Sequence, residues 1–201
     1  SKVSPVFGHY ETRKAGTATC ESTITNQSCH VYRVSDHRNN RSMEITAYHE
    51  SGHALMAVYV GAEVYSVTVD PDWDDGPRRF GDTQIHRNPA GLSEREYYEK
   101  RILVALAGPV AETLYTGDAY HPGMVAEWAA DWAEAWEAAA TLHPDQRQRL
   151  VYLERTADDL HQLLNREEFW SALSALADHL LAYETLETEE VIDIVHLWLP
   201  T

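Results

Sequence analysis

Apolar residues recur at helical spacing from Met43 to about Val60: Ile45, Ala47, Leu55, Met56, Val58 and Tyr59. Gly61 follows, and a glycine just past such a run marks a helix C-terminus. The period then changes. "EVYSVTV" alternates and is rich in β-branched residues, which predicts a strand. The loop "DPDWDDGPRR" separates it from "FGDTQIH", a second, short strand. Ser93 with Glu96 three residues on forms a capping-box signature for a long helix, "EREYYEKRILVALAGPVAETLYTG". Gly108-Pro109 inside that helix predicts a kink or close packing. A Trp-bearing helix comes next, "VAEWAADWAEAWEAAATL". From about Pro144 two or three more helices are expected. One is "REEFWSALSALADHLLAYET", and the last, "TEEVIDIVHLWL", is expected to start with Thr188 as its cap. No internal repeat or low-complexity segment interrupts the pattern. The fold class is mainly α (α+β), helical with a small β-sheet. Residues 1–41 are polar and weakly periodic and read as an arm or small appendage; 42–201 form the domain.

A chain of 201 residues fits one such domain and buries a sizeable core. The net charge of -16 argues against nucleic acid and against anionic lipid as partners. No run of about 18 apolar residues occurs, and the first residues lack the apolar core of a signal peptide. A cytoplasmic protein is therefore expected. The start at Ser1 rather than methionine leaves room for a removed upstream segment. Cys20 and Cys29 read as free thiols rather than a disulfide framework. With His30 and His37 they match no usual zinc spacing. The sequons at Asn26 and Asn40 carry meaning only in a secreted eukaryotic protein.

The candidate chemistry sits in the first helix. His49-Glu50-Ser51-Gly52-His53 is an H-E-x-x-H pattern. Two histidines four apart share a helix face, which suits a zinc ion, and the glutamate is placed to act as a base beside it. With 11 His among 201 residues, chance yields roughly 0.06 such patterns, so two ordinary helix histidines are the poorer reading. Small residues at Ser51 and Gly52 let a helix or a substrate come close. A third histidine six residues after His53 is absent, because Tyr59 stands there. A catalytic zinc needs a third protein ligand. The candidates are Glu112, Glu127, Asp131 and Glu134, and spacing alone leaves them open, since the last three share a helix face. The acidic loop from Asp70 to Gly76 fails as an EF-hand, because its glycine falls one place late and Gly81 stands where the bidentate glutamate belongs. Trp128, Trp132 and Trp136 read as a core stripe rather than a ligand platform. These residues hold no G-x-x-x-x-G-K-[ST] phosphate loop, so no ATPase of that kind is expected in them.

"TAYHESGHALMAVYVGAEVYSVTVDP" resembles the start of the peptidase domain of FtsH-type membrane proteases, with its A-x-H-E-A-G-H-A helix and following strand. "RRFGDTQ" resembles that family's L-G-x-T edge strand, and "ILVALAGPVAETLYTG" its G-G-R-x-A-E helix. "ADWAEAW" falls where the family has D-L-x-x-A-T, and "LLAYETLETEEVIDIV" is similar to its closing helix pair. The order matches across about residues 43 to 198. Pro109 replaces the family's arginine, and "HPGMVAEWAAD" departs from its approach to the aspartate.

The resemblance implies a helical zincin-like peptidase domain. It implies Zn2+ held by His49, His53 and Asp131, with Glu50 as the general base. It makes Glu112 an acceptor that orients a histidine. Aspartate is also a poorer helix former than glutamate, so an Asp131 in mid-helix calls for a reason beyond propensity. The strand at Phe80, Gly81, Asp82 and Thr83 is where an extended polypeptide substrate would add. The expected activity is zinc endopeptidase cleavage of unfolded or flexible chains without an ATPase of its own. A chain of this kind takes already unfolded substrates or borrows a separate unfoldase as partner, and a monomer or weak oligomer is expected. The competing expectation is a zinc-stabilised interaction domain that has lost proteolysis.

Overall fold

The computed structural model describes residues 36–70, 81–86, 91–118 and 128–200. Cys20, Cys29, His30, Asn26, most of the acidic loop, Phe80 and Glu127 lie outside them. Among the described residues there are six helices and one three-stranded antiparallel sheet. This is the mainly α arrangement with a small sheet that the patterning predicts.

The first helix, α1 (Asp36–Tyr59), begins inside the stretch read as a polar arm, rather than at Met43. "DHRNNRS" is polar and carries no apolar repeat, so no period marks it as helical. Gly61 follows the helix in the left-handed region, at φ 77°. Strands β1 (Glu63–Thr68) and β2 (Asp82–His86) pair antiparallel, with a bulge between Val64 and Ser66. Helix α2 (Glu94–Thr116) starts on the Ser93–Glu96 capping box and ends at Gly117. Then come α3 (Ala129–Leu142), α4 (Gln146–Leu164) and α5 (Glu167–Tyr183). A third strand, β3 (Thr185–Glu187), pairs with β1 and gives the order β2-β1-β3. The last helix, α6 (Thr188–Trp198), corrects one expectation. Its cap is Glu187, whose backbone N–H is met by Glu190, while Thr188 is the first helical residue. The Thr188 hydroxyl donates instead to the Tyr65 carbonyl of β1.

The core is built around α1 and α2. From Ala54 to Ala57 every α1 residue is buried, and so is Val104 to Ala111 of α2. Helices buried on nearly all faces belong at the centre of a domain. They cross closely because the contact residues are small. A side chain at Gly52 would place its Cβ 2.5 Å from the Ala107 carbonyl oxygen. The small positions of the H-E-x-x-H segment thus admit a neighbouring helix. Trp132 and Trp136 pack against the core, and Trp128 is buried.

Away from the site, the Tyr115 hydroxyl on α2 donates to Glu44 on α1 at 2.7 Å. That bond, with desolvation and the charge of Glu44, pushes the phenol up to about 12 from an ordinary 10.0. A raised folded pKa favours the folded state fully below the unfolded value, and the contribution fades as pH rises through the folded one. Ultraviolet titration should therefore show one tyrosine ionising near pH 12, with its stabilising effect intact below pH 10. Tyr115→Phe should remove that step. A full set of tyrosines ionising near pH 10 in the folded wild type would contradict the contact.

Candidate metal centre

Helical spacing carries His49 and His53 to one face of α1, and their Nε2 atoms lie 3.1 Å apart. Asp131, in the first turn of α3, faces both. Its Oδ2 is 3.2 Å from His49 Nε2 and its Oδ1 is 3.4 Å from His53 Nε2. Asp131 is not in mid-helix, contrary to what the sequence suggests. The helix begins at Ala129, so Asp131 sits where the positive end of the macrodipole favours a carboxylate. Its position in the cluster rests on the packing of α3 against α2, and no propensity argument is needed.

Both imidazoles are tied from behind. His53 Nδ1 lies 2.8 Å from the Val104 carbonyl, an acceptor only, so that nitrogen carries the hydrogen and Nε2 offers a lone pair. His49 Nδ1 lies 3.0 Å from Glu112 Oε2, and the same oxygen receives the Trp128 indole N–H at 2.6 Å. Glu112 therefore stands behind a histidine, outside the triangle that His49, His53 and Asp131 make. Backing of ring nitrogens by a carboxylate and a carbonyl is what orients metal-binding histidines. Glu134 is turned elsewhere, taking an Arg101 guanidinium N–H at 3.2 Å. Among the described residues, His49, His53 and Asp131 form the group of metal-ligand types with mutually close atoms.

The electrostatics call for a cation. Two imidazole nitrogens and a carboxylate converge, and such a cluster favours added positive charge, either a proton on a ring or a metal ion. Burial of His49 disfavours its charged form. The hydrogen bonds to Asp131 and Glu112 and the charge of Glu50 outweigh that, and hold its pKa at about 10 without a metal. A zinc ion would meet the same demand. Bond lengths of about 2.0–2.1 Å at tetrahedral angles require ligand atoms about 3.3 Å apart. The two ring nitrogens lie 3.1 Å apart, near that value, and the carboxylate meets one ring with Oδ2 and the other with Oδ1; taken as one ligand atom per residue, the three lie within 4.8 Å of one another.

No protein-family model matches the chain. Curated relatives do match part of it. The chloroplastic ATP-dependent zinc metalloprotease FTSH 5 of Arabidopsis thaliana is 36% identical over 76 residues, which is 37% of this chain and 11% of that protein. A chloroplastic ATP-dependent zinc metalloprotease FTSH of Capsicum annuum is 33% identical over 82 residues, 40% of this chain and 12% of that protein. One from Medicago sativa is 34% identical over 77 residues, 37% of this chain and 11% of that protein. The chain is FtsH-like over part of its length. It spans about a tenth of the length of the curated relatives it matches.

Glu50 sits one residue from His49 and is 7% exposed. The Thr83 hydroxyl reaches its Oε2 at 2.7 Å and its backbone carbonyl at 3.3 Å. Gly81 packs against the same side chain. Of the four residues expected along the substrate strand, Gly81 and Thr83 thus meet Glu50 and Asp82 opens β2. Nothing in the sequence announced the Thr83–Glu50 contact, because the partners are 33 residues apart. No helix of the described residues is long and apolar enough to cross a membrane.

One residue of the segment contributes nothing visible to the site. Ser51 is fully buried, and its Oγ is the buried side-chain atom without a partner among the described residues. An unmet buried hydroxyl costs about 1–3 kcal/mol. Ser51→Ala should stabilise the protein by about 1 kcal/mol and leave zinc affinity unchanged, as read by denaturant melts and zinc titration. A destabilised variant would mean that Oγ has a partner in solution.

Proposed function

We propose that this chain is a zinc endopeptidase that hydrolyses peptide bonds in unfolded or flexible polypeptides. The observation that carries the reading is the convergence of His49 Nε2, His53 Nε2 and the Asp131 carboxylate, with Glu50 next to His49 in the same helix. The partial likeness to zinc metalloproteases supports it.

His49, His53 and Asp131 would hold the metal. When bound, zinc supplies Lewis acidity, making water acidic near neutral pH and polarising a peptide carbonyl. The chain's own residues then divide the work. Glu50 takes a proton from the attacking water as its oxygen bonds to the carbonyl carbon. It delivers that proton to the amide nitrogen as the C–N bond breaks. Glu112 and the Val104 carbonyl keep the two rings turned inward. Among the described residues β2 is an edge strand of the sheet, and its outer backbone would align an extended substrate through main-chain hydrogen bonds. An extended, unfolded chain is the substrate class such an edge accepts.

The test is digestion of a permanently unfolded protein, such as reduced and alkylated casein. Cleavage should stop on chelation and return with one equivalent of zinc. A chain that binds one zinc and cleaves nothing would instead be a zinc-stabilised interaction domain.

A further inference from the structure

A general base has to keep its carboxylate aimed at the reacting water, and Glu50 alone does not do so. A glutamate has three rotatable side-chain bonds, and a helix fixes little beyond the first. A nearly buried carboxylate also needs a hydrogen-bond donor. Here the donor is Thr83. Its hydroxyl has one hydrogen to give, and the charge-assisted contact to Oε2 at 2.7 Å is far shorter than the 3.3 Å contact to the Glu50 carbonyl.

The other flank is closed by Gly81. A Cβ there would come within 2.6 Å of Glu50 Cγ and 2.7 Å of Oε1, so a side chain at 81 would displace the Glu50 carboxylate. Thr83 itself is fixed from behind. It stands opposite Val67 in the β1–β2 ladder, and Val67 pairs on its far side with Leu186 of β3. Val67 and Leu186 are each 1% exposed. The buried centre of the sheet therefore sets Thr83, and Thr83 sets the carboxylate.

We propose that Thr83 is a positioning residue for Glu50, holding Oε2 so that Oε1 is the oxygen left to exchange the proton. This rests on the peptidase reading of the site. The edge strand then has two tasks divided between backbone and side chain: its outer backbone aligns substrate while Thr83 orients the base.

The test compares Thr83→Val, which keeps the shape and loses the hydroxyl, with Thr83→Ser, which keeps the hydroxyl. Both are made in the full chain and loaded with zinc. Steady-state kinetics use an unfolded peptide. A second readout, independent of turnover, is the 13C resonance of the Glu50 carboxyl, assigned by its absence in Glu50→Gln. In Thr83→Val, kcat should fall about 10- to 100-fold with KM changed less than about twofold, because misplacement of a reacting group acts on the chemical step. Zinc content should stay at one per chain and the Glu50 resonance should move. Thr83→Ser should restore both the rate and the resonance.

Wild-type kinetics in Thr83→Val, or a serine variant as impaired as the valine one, would overturn the assignment. If the wild type cleaves nothing, the peptidase reading fails by itself, and the resonance decides the contact. A shift in Thr83→Val reversed in Thr83→Ser upholds it, and an unmoved resonance in Thr83→Val ends it.

Discussion

Gly108→Ala should strip the metal from the protein while leaving its helices in place. A Cβ at this position in α2 would fall on the His53 ring, closer to Nε2 than any carbon can approach. The ring cannot simply move aside, because its Nδ1 is tied to the Val104 carbonyl of the same helix. Helix propensity points the opposite way. Alanine in a helix interior is better than glycine by about 1 kcal/mol, so a purely local view expects a more stable protein. The expected result is a drop in zinc affinity of at least about 100-fold, at or beyond the upper end for changes around a metal's ligands. Helical circular dichroism should be unchanged. Competition against a chromophoric chelator measures the affinity. Wild-type affinity in Gly108→Ala would show that His53 is not a ligand in the orientation described.

A comparable loss is expected from Asp131→Ala, and little from Glu134→Ala. Both acids lie on α3, one turn apart, and both are partly exposed. Only Asp131 reaches the two imidazoles; Glu134 takes Arg101, which ties α3 to α2. Removing Asp131 takes away the proposed third ligand and the only carboxylate facing both Nε2 atoms among the described residues. Its affinity loss should reach about 100-fold or more, whereas Glu134→Ala should stay within about tenfold. Full zinc retention in Asp131→Ala, with loss in Glu134→Ala, would reverse the assignment.

The parts of the fold written in local chemistry were legible in the sequence. The H-E-x-x-H spacing, the Ser93–Glu96 capping box, the left-handed Gly61 and the alternation of β1 each act within a few residues. Elements that exist through distant partners were not. β3 is three residues wedged between α5 and α6, too short to show alternation, and it is a strand only because β1 pairs with it. Its presence moves the α6 cap back to Glu187. The site divides in the same way. His49, Glu50 and His53 come from one helix and could be read directly. The choice of Asp131 over Glu134 depends on how α3 lies against α2, and helical spacing cannot supply that. Helix propensity says little about Asp131, because the residue is in a first turn. Gly108 could be read as a packing glycine, but its neighbour His53 could not.

In the proposed mechanism a metal held by His49, His53 and Asp131 works with Glu50 as a base. Glu50→Gln tests it most directly, since it removes the base, keeps the shape and leaves all three proposed ligands in place. Wild type and variant, each carrying one zinc, are compared on the same unfolded protein substrate, with zinc content measured in the same samples. Cleavage should fall at least about 100-fold in Glu50→Gln while zinc content stays the same. Equal cleavage by the two proteins would contradict it.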